Sequence, residues 1–194
     1  MAASYEGIII STLWFMYNMS KNPDIQEKLF EELSNFDESN ESMIASQINE
    51  LTFLDQCVKA NLRIYPPLAC LPRKTSEEIG INGYSLPEGT LTLTAIYSIH
   101  HDEKIYSDPN QFDPSRFDPE NITKIPPGAY IPFGDGPRRC IGERLGLLGS
   151  KIIFSSIIKN FRIVSSKENN IRVKTDLRTE FMNSVKFHFI PRNN

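Results

Sequence analysis

The stretch Pro132–Gly142, PFGDGPRRCIG, carries the densest set of conformational constraints in this 194-residue chain. Three glycines, two prolines and two arginines surround one cysteine, and ERLGLLGSKIIFSSIIKNF follows at once. Gly136 permits a positive φ in a tight loop, and Gly142 lets a helix or a flat ligand approach the main chain closely. The apolar run that follows predicts a helix over about Ile141–Lys159, with Cys140 at its N-terminus. There the positive end of the helix dipole and the unpaired N–H groups favour a thiolate over a thiol. Arg138 and Arg139 add positive charge suited to the carboxylates of a ligand, and Phe133 is expected to lie as an apolar lid over the sulfur. Two readings stay open at this level: a structural cysteine in a Gly/Pro turn, or a cage that holds a thiolate against a metal cofactor with acidic side chains.

The rest of the composition sets the context. The length fits one domain with a real core, and 40% hydrophobic with 23% charged residues is an ordinary globular balance. A net charge of -3 leaves no electrostatic footprint for nucleic acid. Three cysteines, Cys57, Cys70 and Cys140, make no disulfide framework, which points to a reducing compartment. The apolar run Ile8–Met19 is shorter than the roughly 20 residues of a membrane span. Glu6 stands where a signal peptide would be basic, so the run reads as a buried helix, begun before Ala2, where no capping residue precedes it.

Punctuation divides the chain further. In SKNPDIQEKLFEEL, Asn22 is a candidate cap and Pro23 suits the first helical position, so one helix ends near Ser20 and the next runs to about Leu33. A polar loop, SNFDESNES, leads to short helix MIASQIN and then to LTFLDQCVKANLRIY, which Pro66-Pro67 stops. Eleven of the thirteen prolines fall between Pro66 and Pro137. Within that zone Asn82-Gly83 signals a hairpin, LTLTAI reads as a β-branched strand, and residues 100–130 have almost no periodicity. An irregular connection of that length, when ordered, is usually functional. Strands near Phe161–Val164 and within Ile171–Ile190 close the chain. The predicted class is α+β, mainly helical, with small sheets.

The order Phe133, Gly136, Arg138, Cys140, Gly142 before a helix resembles the haem-binding loop of the cytochrome P450 superfamily, Phe-x-x-Gly-x-Arg-x-Cys-x-Gly, at every fixed position. The likeness extends along the chain. Residues 1–21 are similar to the second part of the family's I helix on the distal haem face, and 22–67 to its J and K helices. Residues 68–131 resemble its β hairpins and meander, with Pro114, Arg116 and Phe117 in a Pro-x-Arg-Phe segment; 132–142 are the cysteine loop and 143–194 the L helix and terminal strands. The wording is closest to insect-type microsomal members.

The resemblance implies a haem-thiolate monooxygenase. Haem b would be ligated by Cys140, with Arg138 and Arg73 on its propionates and Phe133 tuning the sulfur. Electrons would come from NADPH through a flavoprotein reductase docked at a basic proximal face (Arg138, Arg139, Arg144, Lys151), and the substrate would be small and apolar. The family's home is the endoplasmic reticulum membrane; its anchor lies outside the resemblance, so this chain alone is expected to be cytoplasmic.

Three departures qualify that expectation. The family's Glu-x-x-Arg reads Ala60, Asn61, Leu62, Arg63 here, so Arg63 and Arg116 lack the carboxylate they would share. Their two guanidinium groups are expected to repel. The I-helix motif reads Ala3, Ser4, Tyr5, Glu6, Gly7: Glu6 keeps the acid of the proton relay, and Gly7 replaces the hydroxyl. Ser11 lies one turn on, about 5–6 Å away. Finally, the resemblance starts at the I helix, so a fragment or degenerate copy of the fold is expected. Two rivals of other classes remain: a non-catalytic remnant with weak or no haem binding, and an interaction module without haem. Among the other residues, His100-His101 are not expected to form a metal pair, His188 reads as exposed, and Cys57 and Cys70 as core or surface thiols.

Overall fold

The computed structural model describes residues 3–35, 45–167 and 170–192. Its helices in chain order are α1 (Ala3–Lys21), α2 (Pro23–Ser34), α3 (Ala45–Ile48), α4 (Thr52–Ile64), α5 (Ile96–His100), α6 (Pro119–Ile122) and α7 (Glu143–Asn160). The strands are β1 (Leu71–Lys74), β2 (Ile79–Ile81), β3 (Tyr84–Leu86), β4 (Leu91–Thr94), β5 (Phe161–Ser165), β6 (Val173–Thr175), β7 (Thr179–Phe181) and β8 (Phe187–Pro191). They form four antiparallel pairs, β1–β4, β2–β3, β5–β8 and β6–β7, so the fold is α+β and mainly helical. Residues 36–42 of the polar loop predicted after α2 and Met43 and Ile44 of the predicted short helix lie outside the described residues, as does the question of a cap at Ala2.

Helices α1, α2, α4 and α7 enclose the core. Phe15 on α1 stacks on Phe154 of α7 with ring centroids 3.8 Å apart, and both are fully buried. Trp14 stacks on Tyr65, just past α4, and its Nε1–H donates to the Thr179 carbonyl, which pins β7 to α1. Asn61, fully buried on α4, donates to the carbonyl and hydroxyl of Ser11 and accepts from Asn18, so the α1–α4 crossing is a satisfied polar seam. The α1 helix is not buried all round, however. Tyr5, Ile9 and Leu13, spaced at four residues, form an exposed stripe.

Local signals explain several boundaries. Asn82 and Gly83 both take positive φ (49° and 84°), the geometry of a two-residue hairpin between β2 and β3. Pro23 opens α2 as expected, but Asn22 does not cap it: its side-chain amide donates back to the Asn18 carbonyl at the end of α1. The Asn18 carbonyl, which also accepts the Asn22 N–H, captured the side chain that α2 was expected to use. A cap not legible from the sequence stands at α4, where the Glu32 carboxylate from α2 accepts from the N–H groups of Phe53 and Leu54 (2.7 and 2.9 Å). Gln26 of α2 likewise exchanges two hydrogen bonds with the main chain of Ile163, tying α2 to β5.

The irregular connection between α5 and α7 is ordered by its own anchors. Tyr106, Phe112, Phe117 and Ala129 are buried, and the Tyr106 hydroxyl donates to the Ala129 carbonyl. Asp113 accepts from the Ser115 N–H and so starts the 3-10 turn Pro114–Phe117. This connection delivers the chain to Ile131, where the cysteine loop begins.

Candidate functional site

The cysteine loop is shaped by two glycines. Gly134 and Gly136 have φ of 74° and 71°, a region costly for other residues, and a Cβ on Gly134 would come within 3.0 Å of Leu71 Cδ1. The loop closes where the Cys140 N–H donates to the Phe133 carbonyl (3.0 Å). Helix α7 begins at Glu143 rather than near Ile141, so Cys140 precedes it by two intervening residues. Gly142 is the N-cap, and a Cβ there would sit 3.8 Å from the Cys140 sulfur. The sulfur is free and exposed, and Ile141 beside it is fully exposed.

A cleft of about 560 Å³ opens in front of this loop. Glu6 and Gly7 of α1 line one side, and Phe133, Arg138, Cys140 and Gly142 the other. Arg73 of β1 also lines the cleft, with Leu62, Leu68 and Leu71 among its apolar residues. The structure therefore brings together every predicted site residue but Gly136, which shapes the loop through its positive φ and does not line the cleft. Its size lies within the ~300–1,000 Å³ usual for cofactor and ligand pockets. Gly7 contributes no side chain, and a Cβ there would touch only Pro67, at 4.0 Å. Glycines on two facing walls, a free thiol and two exposed arginines suit a flat apolar group with acidic substituents and a metal centre; the residues fit haem.

Several individual expectations change. Glu6 is not a free acid: its Oε2 lies 2.9 Å from Nη2 of Arg178, which reaches in from the segment before β7. The Ser11 hydroxyl, expected to be a doubtful substitute for the one absent at Gly7, accepts from Asn61. Arg139 turns away from the cleft into a bidentate pair with Glu143 (2.5 Å for each bond), leaving Arg138 and Arg73 as its arginines from the predicted set. Lys151 is no part of an exposed basic face, being buried against Asp55 at 2.7 Å. Among the described residues no group of three or more His, Cys, Asp or Glu could hold a metal ion. His188 is exposed, Cys57 buried and Cys70 half-buried.

The two arginines without a shared carboxylate are accommodated by main chain. Arg63, fully buried, donates to the carbonyls of His100 and Gln111 (2.9 Å each) and lies over the Tyr106 ring at 5.0 Å. Arg116 donates to the Ser107 and Asp108 carbonyls, and Asp113 lies 3.6 Å from its Nε. Asp113 is the acid that sequence reasoning missed; it caps its own turn and so carries no signal of this second task. Burial first, and the Arg116 charge second, bring the Arg63 pKa down to about 10. The Nε–H groups of both arginines make no hydrogen bond, and that of Arg116 has only the Asp113 carboxylate at ion-pair distance.

Comparison with known proteins agrees with this layout. The cytochrome P450 family model matches residues 1–188. A probable cytochrome P450 6a13 from Drosophila melanogaster is 39% identical over 166 residues, 84% of this chain and 34% of the relative. Cytochrome P450 3A15 from Cavia porcellus is 33% identical over 89% of this chain and 34% of the relative. Thromboxane-A synthase from Sus scrofa is 34% identical over 98% of this chain and 36% of its own length. The chain belongs to the cytochrome P450 family, and the family's cofactor is haem with its iron. It spans about a third of the length of the curated relatives it matches.

Proposed function

We propose that this chain carries the proximal and part of the distal wall of a haem-thiolate monooxygenase site. The observation that supports the reading is the single cleft lined at once by Cys140, Arg138, Arg73, Glu6 and Gly7. Haem, when bound, supplies the redox chemistry that inserts one oxygen atom of dioxygen into a substrate. Cys140, held by the Gly134 and Gly136 turns, would bind its iron, and Gly142 keeps the approach to the sulfur open. Arg138 and Arg73 would pair with the propionates, and Phe133, on the same wall of the cleft, would tune the sulfur. Glu6 is the acid left on the distal side; Arg178 holds its Oε2, which leaves Oε1 to carry a proton.

The substrate is a small apolar molecule, in keeping with the aliphatic lining. Electrons come from NADPH through a flavoprotein reductase that meets the face around exposed Arg138, Ile141 and Arg144. By family resemblance the site of action is the endoplasmic reticulum membrane; no helix among the described residues is long and apolar enough to cross a membrane. A second reading, a non-catalytic remnant with weak or no haem binding, is favoured by Gly7 and by the absence of a carboxylate at Ala60 between Arg63 and Arg116. The test is reconstitution of the chain with haem. The reduced carbon-monoxide spectrum should show a thiolate-type Soret band, and Cys140→Ser should abolish it. A thiolate band that survives the serine change overturns the ligation.

A further inference from the structure

His100 is fully buried, and nothing in the proposed chemistry uses it. Its ring nitrogens nevertheless face two different main-chain segments. Nδ1 lies 3.1 Å from the Arg63 carbonyl oxygen, and the Ile131 N–H points to Nε2 at 3.0 Å. A carbonyl only accepts, so Nδ1 carries the proton and Nε2 is the acceptor; the contacts dictate one neutral tautomer. Burial, with the charge of Arg63 and the neighbouring His101 acting in the same sense, brings the imidazole pKa down to about 3 despite the Arg63 carbonyl bond, so this tautomer holds at neutral pH. The Tyr130 ring stacks on it with centroids 5.5 Å apart.

The two bonds join the end of α4 to the start of the loop, beside a longer tie in which the Tyr130 hydroxyl donates to the Lys59 carbonyl at 3.3 Å. The Arg63 carbonyl is one of the last of α4, left without an intrahelical donor. Arg63 returns the contact by donating through Nη1 to the His100 carbonyl (2.9 Å), so the two residues hold each other reciprocally. Beyond Ile131 the link continues through the loop. The Ile131 carbonyl accepts from the Gly134 N–H (2.9 Å), and the Phe133 carbonyl accepts from the Cys140 N–H (3.0 Å). Pro132, between them, has no N–H to offer, so the Ile131 amide is the donor that fixes where this loop starts.

We infer that His100 is a positioning residue for the cysteine loop, latching Ile131 to the end of α4 at the place where Ala60 leaves Arg63 without a carboxylate. A loop fastened at Ile131 keeps its sulfur in a fixed relation to α4 and α1, and through them to the opposite wall of the cleft. The inference rests on the proposed role of Cys140 only in its spectroscopic arm.

The experiment compares the wild-type chain with His100→Phe, which keeps a stacking ring but neither nitrogen, and His100→Gln, whose amide can restore one contact. Amide hydrogen exchange is followed without haem. In His100→Phe the amides of 131–140 should exchange at least tenfold faster while those of α1 and the β5–β8 pair keep wild-type rates, and His100→Gln should fall between. A uniform change across all segments, or an unchanged Ile131 amide, overturns the inference. If His100→Phe does not fold, His100→Gln decides alone: acceleration confined to 131–140 supports the latch, and wild-type or uniformly altered exchange refutes it. With haem, His100→Phe should lose a larger share of the thiolate-type band than His100→Gln. A wild-type chain that takes up no haem removes the proposed function and leaves the exchange result to decide the latch.

Discussion

Ala60→Glu asks whether the arginine pair is short of an anion. Ala60 is fully buried on α4, and positions 60 and 63 share a helix face. Arg63 has both Nη groups bonded to carbonyls, and Arg116 bonds two carbonyls through one Nη, which leaves the two Nε–H donors without a hydrogen bond, Asp113 standing 3.6 Å from that of Arg116. A buried donor without an acceptor costs about 1–3 kcal/mol, so accepting from both recovers about 2–6 kcal/mol. Against this stand about 1–3 kcal/mol for placing a longer side chain in a packed site, and part of the carboxylate's own desolvation. The net expectation is a gain of about 1–2 kcal/mol, or about 3–6 °C in Tm for a chain of this size. Ala60→Gln, of equal shape and no charge, should gain less than half of that, and Ala60→Met, which adds only volume, should lose stability. Thermal and urea unfolding of the four proteins measure the differences. Equal stability of the Glu and Gln variants would falsify the idea of a missing charge and show that the carbonyls and Asp113 already neutralise the pair.

Glu32→Gln removes one acceptor from the α4 N-terminus, so stability should fall by about 1–2 kcal/mol; a loss below about 0.3 kcal/mol in urea melts rules the cap out. For Asp55, burial pushes the carboxyl up, but the bonds from Lys151 and Lys59 outweigh it and hold the pKa below its ordinary value. A depressed native pKa gives stability that is present above the unfolded-state value of about 3.9 and lost as pH falls through the native one. Asp55→Asn should therefore cost about 3 kcal/mol at neutral pH, where buried Lys151 loses its counter-charge, and much less in acid; an equal loss at both contradicts the pairing. Gly7→Thr should fit, since a Cβ there meets only Pro67, and should raise helix stability by a few tenths of a kcal/mol. With haem and reductase present it should also raise product formed per NADPH consumed, and unchanged coupling would mean that another group delivers the proton.

The sequence by itself determined the features that depend on neighbouring residues. The Asn82-Gly83 turn, the helix breaks at Pro23 and Pro66-Pro67, and the positive φ of Gly136 follow from backbone sterics over a few residues. The spacing Phe133, Gly136, Arg138, Cys140, Gly142 was equally legible, because the loop folds on itself and its order is its geometry. Tertiary structure alone decided the pairing of long polar side chains. Glu32 caps a helix 21 residues away, Asn61 bonds Ser11 across 50, and Arg63 and His100 meet across 37. Glu6 finds Arg178 from the far end of the chain, and Lys151 is buried on Asp55 instead of joining a basic face. A buried polar atom must be satisfied by whichever partner the packing brings within 3 Å or so, and nothing in its local sequence names that partner. The same rule took Asn22 from the helix it precedes and gave its amide to the last turn of α1.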